Sequence, residues 1–317
     1  MSFDISALVN YTIQNEKLLV TKSLFDAKTQ SVIQSAGNVM ANVKSSETIN
    51  VLTSDAVFQT GGTCGFNSSG STAFTQRTVT IGKFKVHESL CPKTLESKYT
   101  QLALAAGSLP EAIPFEKQYT GLKAGIIAEQ LEIALWLGDT GSSNVNLNKF
   151  DGLAKLIDGS SAAIAGNTTS ITVATGITAV NALAIVKNIK NAIPARVKGK
   201  KDVRVWCGWD AFDVLVDAYV TANYFNYGAA NLSYESGEFT IPGTAYKVTA
   251  VHGLDGSNRL FAIRDSNLYM GCDILGEEDK WEIFYAKEAM EVRFVSEWKL
   301  GINVAFPAEI VQFTLTA

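Results

Sequence analysis

The sequence predicts an α+β fold, and three stretches carry that reading. Residues 47–91 hold two strand-like limbs around a soft tip, Phe115 to Leu137 repeat apolar residues at helical spacing, and the tail beyond residue 280 alternates apolar and polar residues. With 317 residues the chain is long enough to bury one large core or two ordinary ones.

Residues 1–46 mix short helical patterns with polar breaks (SLFDAKTQSVIQSAGNVM) and supply no self-contained apolar face. This segment is expected to pack as an arm on another surface. In the excursion that follows, the outgoing limb holds Ile49 and Val51 and the returning limb reads RTVTIGKFKVHESL. Between them, the glycines and small polar residues of QTGGTCGFNSSGST make a turn-prone, adaptable tip. On the returning limb Val79 and Ile81 share one parity while Phe84 and Val86 share the other, which predicts a bulge or kink at Gly82.

The stretch FEKQYTGLKAGIIAEQLEIALWL predicts one long amphipathic helix over 115–137. Tyr119, Leu122, Ile126, Ile133 and Leu137 are expected on its buried side, with Gln118, Glu129 and Glu132 on another. Gly138 is expected as a left-handed cap, and Asp139 to Ser143 as the turn that follows.

Residues 177–271 read as a compact α/β module. Its pieces are a helix over AVNALAIVKNIKNAI stopped by Pro194, a basic turn, a strand VRVWC, and a helix over DAFDVLVDAYV with Asp210 as the expected cap. A Gly/Asn/Ser-rich loop then leads to YKVTAV and RLFAI, expected to form a hairpin through the Asp255-Gly256 turn. In the tail, Met290, Val292, Phe294, Trp298, Leu300, Ile302, Val304 and Phe306 fall on one face of long, half-buried strands.

Composition narrows the function. A hydrophobic share of 47% against 18% charged residues is apolar for a soluble chain, so surface is expected to be buried against partners. The net charge is -4 and Lys and Arg are scattered, which leaves no basic stripe and limits any DNA contact to weak, non-specific binding. The N-terminus lacks the basic-then-apolar pattern of a secretory leader, and no stretch is apolar for membrane-spanning length, so a cytosolic product without a membrane anchor is expected. Cys64, Cys91, Cys207 and Cys272 lie far apart with no Cys-x-x-Cys spacing, which predicts free, buried thiols and no metal site.

The one string with catalytic overtones is LGDTGSS at 137–143, because Asp-Thr-Gly-Ser carries the reactive aspartate of aspartic proteases. That chemistry needs two carboxylates sharing a proton, yet the chain has no second copy and the preceding segment is helical. A helix-terminating turn is the expected role. His87 and His252 have no partners suggesting a triad or metal set, and nucleophile elbows, phosphate loops and dinucleotide fingerprints are absent. The acidic run GEEDKWE lacks calcium-loop spacing. The aromatics from Trp206 to Tyr227 have little interleaved Arg or Lys and are expected in a core or subunit interface. No catalytic, cofactor-binding or metal-ligating residue is expected.

Taken in order, an extended arm, a long two-stranded loop, one long helix, an α/β module and a return to long strands resemble the major capsid proteins of tailed bacteriophages, the Hong Kong 97 type fold. Several strings are similar to capsid proteins of crAss-like and related Bacteroidetes phages: FQTGGTCGFNSSGSTAFTQR, SLCPKTLE, PFEKQ, and LGDTGS followed by FDGL.

The resemblance implies an N-terminal arm (1–46), an E-loop (47–91), a peripheral domain with its spine helix (92–176), an axial domain (177–271) and the peripheral domain's long strands (272–317). It implies a structural protein, not an enzyme and without cofactors, that self-assembles into pentamers and hexamers of an icosahedral head around double-stranded DNA. Portal, scaffold and decoration proteins are the further partners implied, with assembly in the host cytoplasm and residence in the virion. Too few residues precede the E-loop for a fused scaffold, so a separate one, or none, is expected. Subunit contacts are expected at Gly61, Gly62, Cys64 and Phe66 of the loop tip and, by position, at Asn231 and Glu235 of the ring-centre loop. Some relatives weld subunits by a lysine–asparagine bond, for which Lys83 or Lys85 and Asn303 are the positional candidates. Cys64 is a candidate for a disulfide to a neighbouring subunit. Alternatives are an encapsulin-like shell and, remotely, an aspartic-type hydrolase.

Overall fold

The computed structural model describes residues 27–61, 65–66, 68–91, 115–166, 176–222, 232–233, 237–273 and 280–314. In chain order the elements are α1 (Lys28–Ser35), β1 (Val39–Met40), β2 (Ser46–Ser54), β3 (Thr72–Thr80), β4 (Gly82–Leu90), α2 (Phe115–Leu137), α3 (Leu153–Asp158) and β5 (Ile164–Ala165). The second half holds α4 (Ala182–Ala192), β6 (Val203–Cys207), α5 (Trp209–Thr221), β7 (Leu232–Ser233), β8 (Glu238–Thr240), β9 (Lys247–Ala250), β10 (Leu260–Arg264), β11 (Leu268–Cys272), β12 (Lys280–Ala286), β13 (Glu291–Val304) and β14 (Val311–Phe313).

Strand β13 organises the first sheet. One of its edges pairs β12 and then β11, and the other pairs β4 along Val292–Leu300. Its even-numbered residues are apolar, apart from Ser296, and Val292, Phe294, Trp298, Leu300, Ile302 and Val304 are buried as the alternation demands. Met290 departs from that reading: it sits in the β12–β13 turn at φ 55° and is exposed. The buried face shares a core with Ile127, Leu131, Leu135 and Trp136 of α2 and with Leu153 and Ile157 of α3.

Helix α2 has the bounds its periodicity predicts, about 35 Å at the usual rise, and buries Tyr119 as expected, with Ile133 and Leu137 half-buried, but its inward side is shifted from the one expected. Leu122 and Ile126 are exposed, whereas Ala124, Ile127, Ala128, Leu131, Leu135 and Glu132 are buried. So many of its residues are apolar that spacing alone does not select one face. Glu132 is buried for a local reason: its carboxylate accepts the Thr29 amide at 3.2 Å and the Thr29 hydroxyl, and that hydroxyl in turn accepts Trp136 Nε1 at 2.8 Å. A carboxylate on α2 thus satisfies the open N-terminus of α1 and docks this segment on the body of the protein. Burial pushes the Glu132 carboxyl above the usual carboxylate range, against those hydrogen bonds.

Gly138 is not left-handed. An added Cβ there would stand 2.5 Å from Ala134 O and 2.7 Å from Phe150 O, so glycine is required by the close passage of the chain that returns at Phe150–Gly152. The Gly152 amide donates to Gly138 O at 2.8 Å, joining LGDTGS directly to FDGL.

The second sheet runs β5-β14-β10-β6-β9-β8-β7, with α4 and α5 contributing to its core. β9 and β10 are not a hairpin: β6, all five residues buried, lies between them, parallel to β9 and antiparallel to β10. Asp255 and Gly256 still reverse the chain, but Asp255 Oδ1 accepts the Trp209 amide at 2.6 Å. Gly208 is the N-cap residue of α5, the Asp255 carboxylate takes up its first amide from a distance in sequence, and Asp210 lies in the first helical turn and accepts the Gly256 amide at 3.2 Å. Two-residue β5 and three-residue β14 come from outside 177–271, and β11, inside that range, pairs with β13 in the first sheet. Of the cysteines, Cys207 and Cys272 are buried thiols as expected, and Cys91 is exposed.

Candidate assembly surface

The returning limb divides at Ile81. β3 pairs β2 in a separate two-stranded ribbon, while β4, beginning at Gly82, joins β13. The parity switch seen in the sequence is this change of sheet. Nine cross-strand pairs run from Ser46↔Thr80 to Ser54↔Thr72, about 30 Å of paired strand at the usual rise.

Only the base of the ribbon is held by the body. Ile49, Val51 and Val79 share one face and pack with Met40, Tyr269, Ala305 and Phe306. Asn303 Nδ2 donates to Thr78 O at 2.6 Å, and Arg77 donates to Asn303 Oδ1 at 3.4 Å. At Gly301 a Cβ would meet Thr80 O at 2.2 Å, so this strand can pass beneath the ribbon only as glycine. Asn303 is 6% exposed and committed to these bonds, which removes it as an accessible partner for a lysine of another chain.

Beyond the base the ribbon faces outward on both sides. Leu52 and Phe74 are a direct cross-strand pair on the solvent face, 56% and 77% exposed. Phe58 and Phe66 at the tip are 99% and 93% exposed, and Val57 is 55% exposed. Isolated exposed apolar residues are ordinary, but Leu52 and Phe74 on the ribbon and Val57, Phe58 and Phe66 past its last pair place five exposed apolar side chains on one projecting element. Of the residues expected here from sequence, Gly61 and Phe66 lie in this exposed tip. Gly62 and Cys64, like Asn231 and Glu235, lie outside the described residues. Sequence reasoning missed Phe58 and the Leu52–Phe74 pair. Phe58 was available as an aromatic beside a glycine-rich tip, whereas the pair depends on strand register.

A second apolar surface lies between β4, α2 and the turn after α2. This groove of about 430 Å³ exposes Ile126 and Val145 and reaches Phe84 and Trp298, with Lys83, Lys85, Lys123 and Lys149 around it.

The Asp139 turn has the wrong chemistry for proton sharing. Lys155 Nζ donates to Asp139 Oδ1 at 2.6 Å and to Asp151 Oδ1 at 2.7 Å, and the Gly141 amide donates to Asp139 Oδ1 at 2.8 Å. The Lys155 hydrogen bond holds the Asp139 carboxyl below its usual range. The Asp151 carboxyl is also held low, where hydrogen bonds from Lys155 and Thr140 outweigh partial burial. Two carboxylates pinned in the ionised form by one ammonium brace a turn; they do not share a proton. His87 lies 3.4 Å from Glu297, and His252 Nδ1 lies 2.9 Å from Asp255 with its ring stacked on Trp209. Among the described residues no group of three or more His, Cys, Asp or Glu could hold a metal ion.

No family model matches the chain, and no curated protein matches it. Solved structures do. The satellite phage P4 procapsid including its size determination protein matches with a TM-score of 0.60 at 11% identity, over 95% of this chain and 90% of that one. The chain has the fold of tailed-phage capsid proteins. Gordonia phage Cozz matches this capsid fold with a TM-score of 0.57 at 11% identity over 90% of this chain and 87% of that one. The capsid of an empty GTA particle matches at 0.54 and 14% identity, over 90% of both chains. Each of these matches covers 90% or more of the chain.

Proposed function

We propose that the protein is a phage major capsid protein that self-assembles, through pentamers and hexamers, into an icosahedral head enclosing double-stranded DNA. The observation that carries this reading is the β2–β3 ribbon, held at its base and carrying, with its tip, five side chains that are apolar and exposed among the described residues. Such an element suits burial against a neighbouring subunit, and a head-to-tail contact of this kind generates closed rings. In this reading residues 1–46 are the arm, 47–91 the E-loop, 92–176 and 272–317 the peripheral domain with α2 as spine helix, and 177–271 the axial domain.

The finer likeness to crAss-like phage capsid proteins rests on the short sequence strings alone. Gly61, Gly62, Cys64 and Phe66 are assigned to the contact at the ribbon tip, and Asn231 and Glu235 to the ring centre. Portal, scaffold and decoration proteins complete the partners, the virion is the final location, and the role is structural.

Expression of the protein alone, followed by size-exclusion chromatography and negative-stain electron microscopy, tests the proposal. Closed shells, tubes, or rings of five or six subunits are the expected products. A monodisperse monomer that persists when candidate scaffold proteins are co-expressed overturns it.

A further inference from the structure

Although Lys and Arg are scattered along the sequence, the fold gathers a cationic face at one end of the second sheet. Lys187 and Lys190 are three apart on α4 and so share a side of that helix. Lys190 also lines a cleft of about 320 Å³ with Lys198, Gly199, Thr244 and Tyr246. The Gly199 amide donates to the Tyr246 hydroxyl at 3.3 Å, tying the turn after α4 to the residue just before Lys247. Lys200 and Lys201 continue that turn into β6, whose Arg204 is the register partner of Lys247 on β9. Among the described residues, none of these six lysines forms an ion pair.

Carboxylates on and beside these elements are committed to arginines. Asp202 binds Arg264, Glu309 binds Arg264 and Arg196, and Glu238 and Asp265 bind Arg204. The result is six flexible point charges with no carboxylate at ion-pair distance among the described residues, on a chain whose net charge is -4. The cleft floor is Gly, Thr, Ala and Asn, and its only aromatic, Tyr246, is buried. It offers no apolar anchor of the kind that centres a protein interface and no exposed ring on which a base could stack.

We propose that Lys187, Lys190, Lys198, Lys200, Lys201 and Lys247 form a binding face for the phosphate backbone of duplex DNA, without base readout. The choice of DNA as the polyanion rests on the capsid reading; the existence of the anion face does not. Compact ammonium groups in a polar cleft neutralise phosphates and release counterions, which makes binding sequence-independent and steeply salt-dependent.

The test uses the full-length protein, a random-sequence duplex of about 30 base pairs, and fluorescence anisotropy across about 50–200 mM salt, where each neutralised phosphate contributes about 0.9 to the slope of log affinity against log salt. K198Q/K200Q/K201Q is expected to make that slope shallower by about 3 and to weaken binding about tenfold or more at the lowest salt. K83Q/K85Q/K149Q, which removes the same charge near β4, is expected to bind as the parent does. Circular dichroism and thermal melts establish that both variants fold. An unchanged slope in the first variant, or equal losses in both, overturns the assignment. So does a loss confined to polyglutamate, run as a parallel probe, which would reassign the face to an acidic protein segment. Shell formation is scored separately by imaging the same proteins, alone and with candidate scaffold proteins co-expressed: no shells under either condition with the slope change intact refutes the capsid reading alone, and shells with an unchanged slope refute the DNA face alone.

Discussion

Phe58→Ser separates assembly from folding. Phe58 is 99% exposed in the single chain, so its replacement removes no intrachain packing and is expected to shift folding stability by no more than about 0.5 kcal/mol. If its ring is buried by a neighbouring subunit, each subunit loses the transfer of one full phenylalanine side chain, about 2–3 kcal/mol. At 1.4 kcal/mol per tenfold, the concentration needed for assembly rises about 30- to 140-fold. Light scattering and size-exclusion chromatography over a dilution series measure that threshold, and thermal unfolding of the unassembled protein supplies the control. An unchanged threshold with an unchanged melt would refute the argument that the ribbon tip is an interface. A large loss of thermal stability would refute the premise that the ring is free.

Other expectations follow from the same structure. Gly301→Ala places a methyl 2.2 Å from Thr80 O and is expected to lower both the melting temperature and assembly, with earlier proteolytic cutting between residues 46 and 80. Asp273→Asn removes the carboxylate 3.1 Å from the buried Lys299 ammonium and is expected to lower stability in denaturant unfolding; the Asp273→Leu/Lys299→Met double substitution is expected to be milder. Glu132 has a folded pKa raised by burial, so its contribution to stability is fully present below the ordinary carboxylate range and declines as pH rises through the raised value; Glu132→Gln is expected to flatten that part of the stability–pH curve. Asp139 and Asp151 carry lowered folded pKa values, so their contribution is present above the ordinary carboxylate range and is lost as pH falls through the lowered values; with Asp139→Asn the acid-side loss shrinks and shells still form.

Where the sequence was legible, the physics was local. Strand β13 alternates because a sheet face does, and β6, buried at every position, shows as the continuous run VRVWC. The bounds of α2 were readable from its periodicity and from Gly138, but not its buried side, because Leu122 and Ile126 are as apolar as Ile127 and Leu131. What selects the side is a partner distant in sequence, Thr29, which receives Glu132. The β9–β10 hairpin failed for the same reason: Asp255-Gly256 specifies a reversal of the chain and says nothing about whether another strand enters the gap. The lysine face was invisible because α4, the following turn and β9 contribute to it separately.

The division of the returning limb at Ile81 explains why one chain can keep a rigid body and still carry an unsatisfied ribbon. β4 is fixed by nine register pairs to β13, and β13 runs under the ribbon base through Gly301 and Asn303, so the direction in which β2 and β3 leave is set by the same strand that organises the first core. Past the Val51–Thr75 pair that control ends, and burial of the exposed side chains is left to another molecule. In the proposed capsid, fold stability and association strength are therefore carried by different parts of one hairpin. The base must resist change because backbone touches backbone there, while the tip, built from small residues and a few large apolar ones, can meet slightly different neighbours at little strain. A shell of many subunits adds such modest contacts together, which lets each remain weak enough to form and correct during assembly.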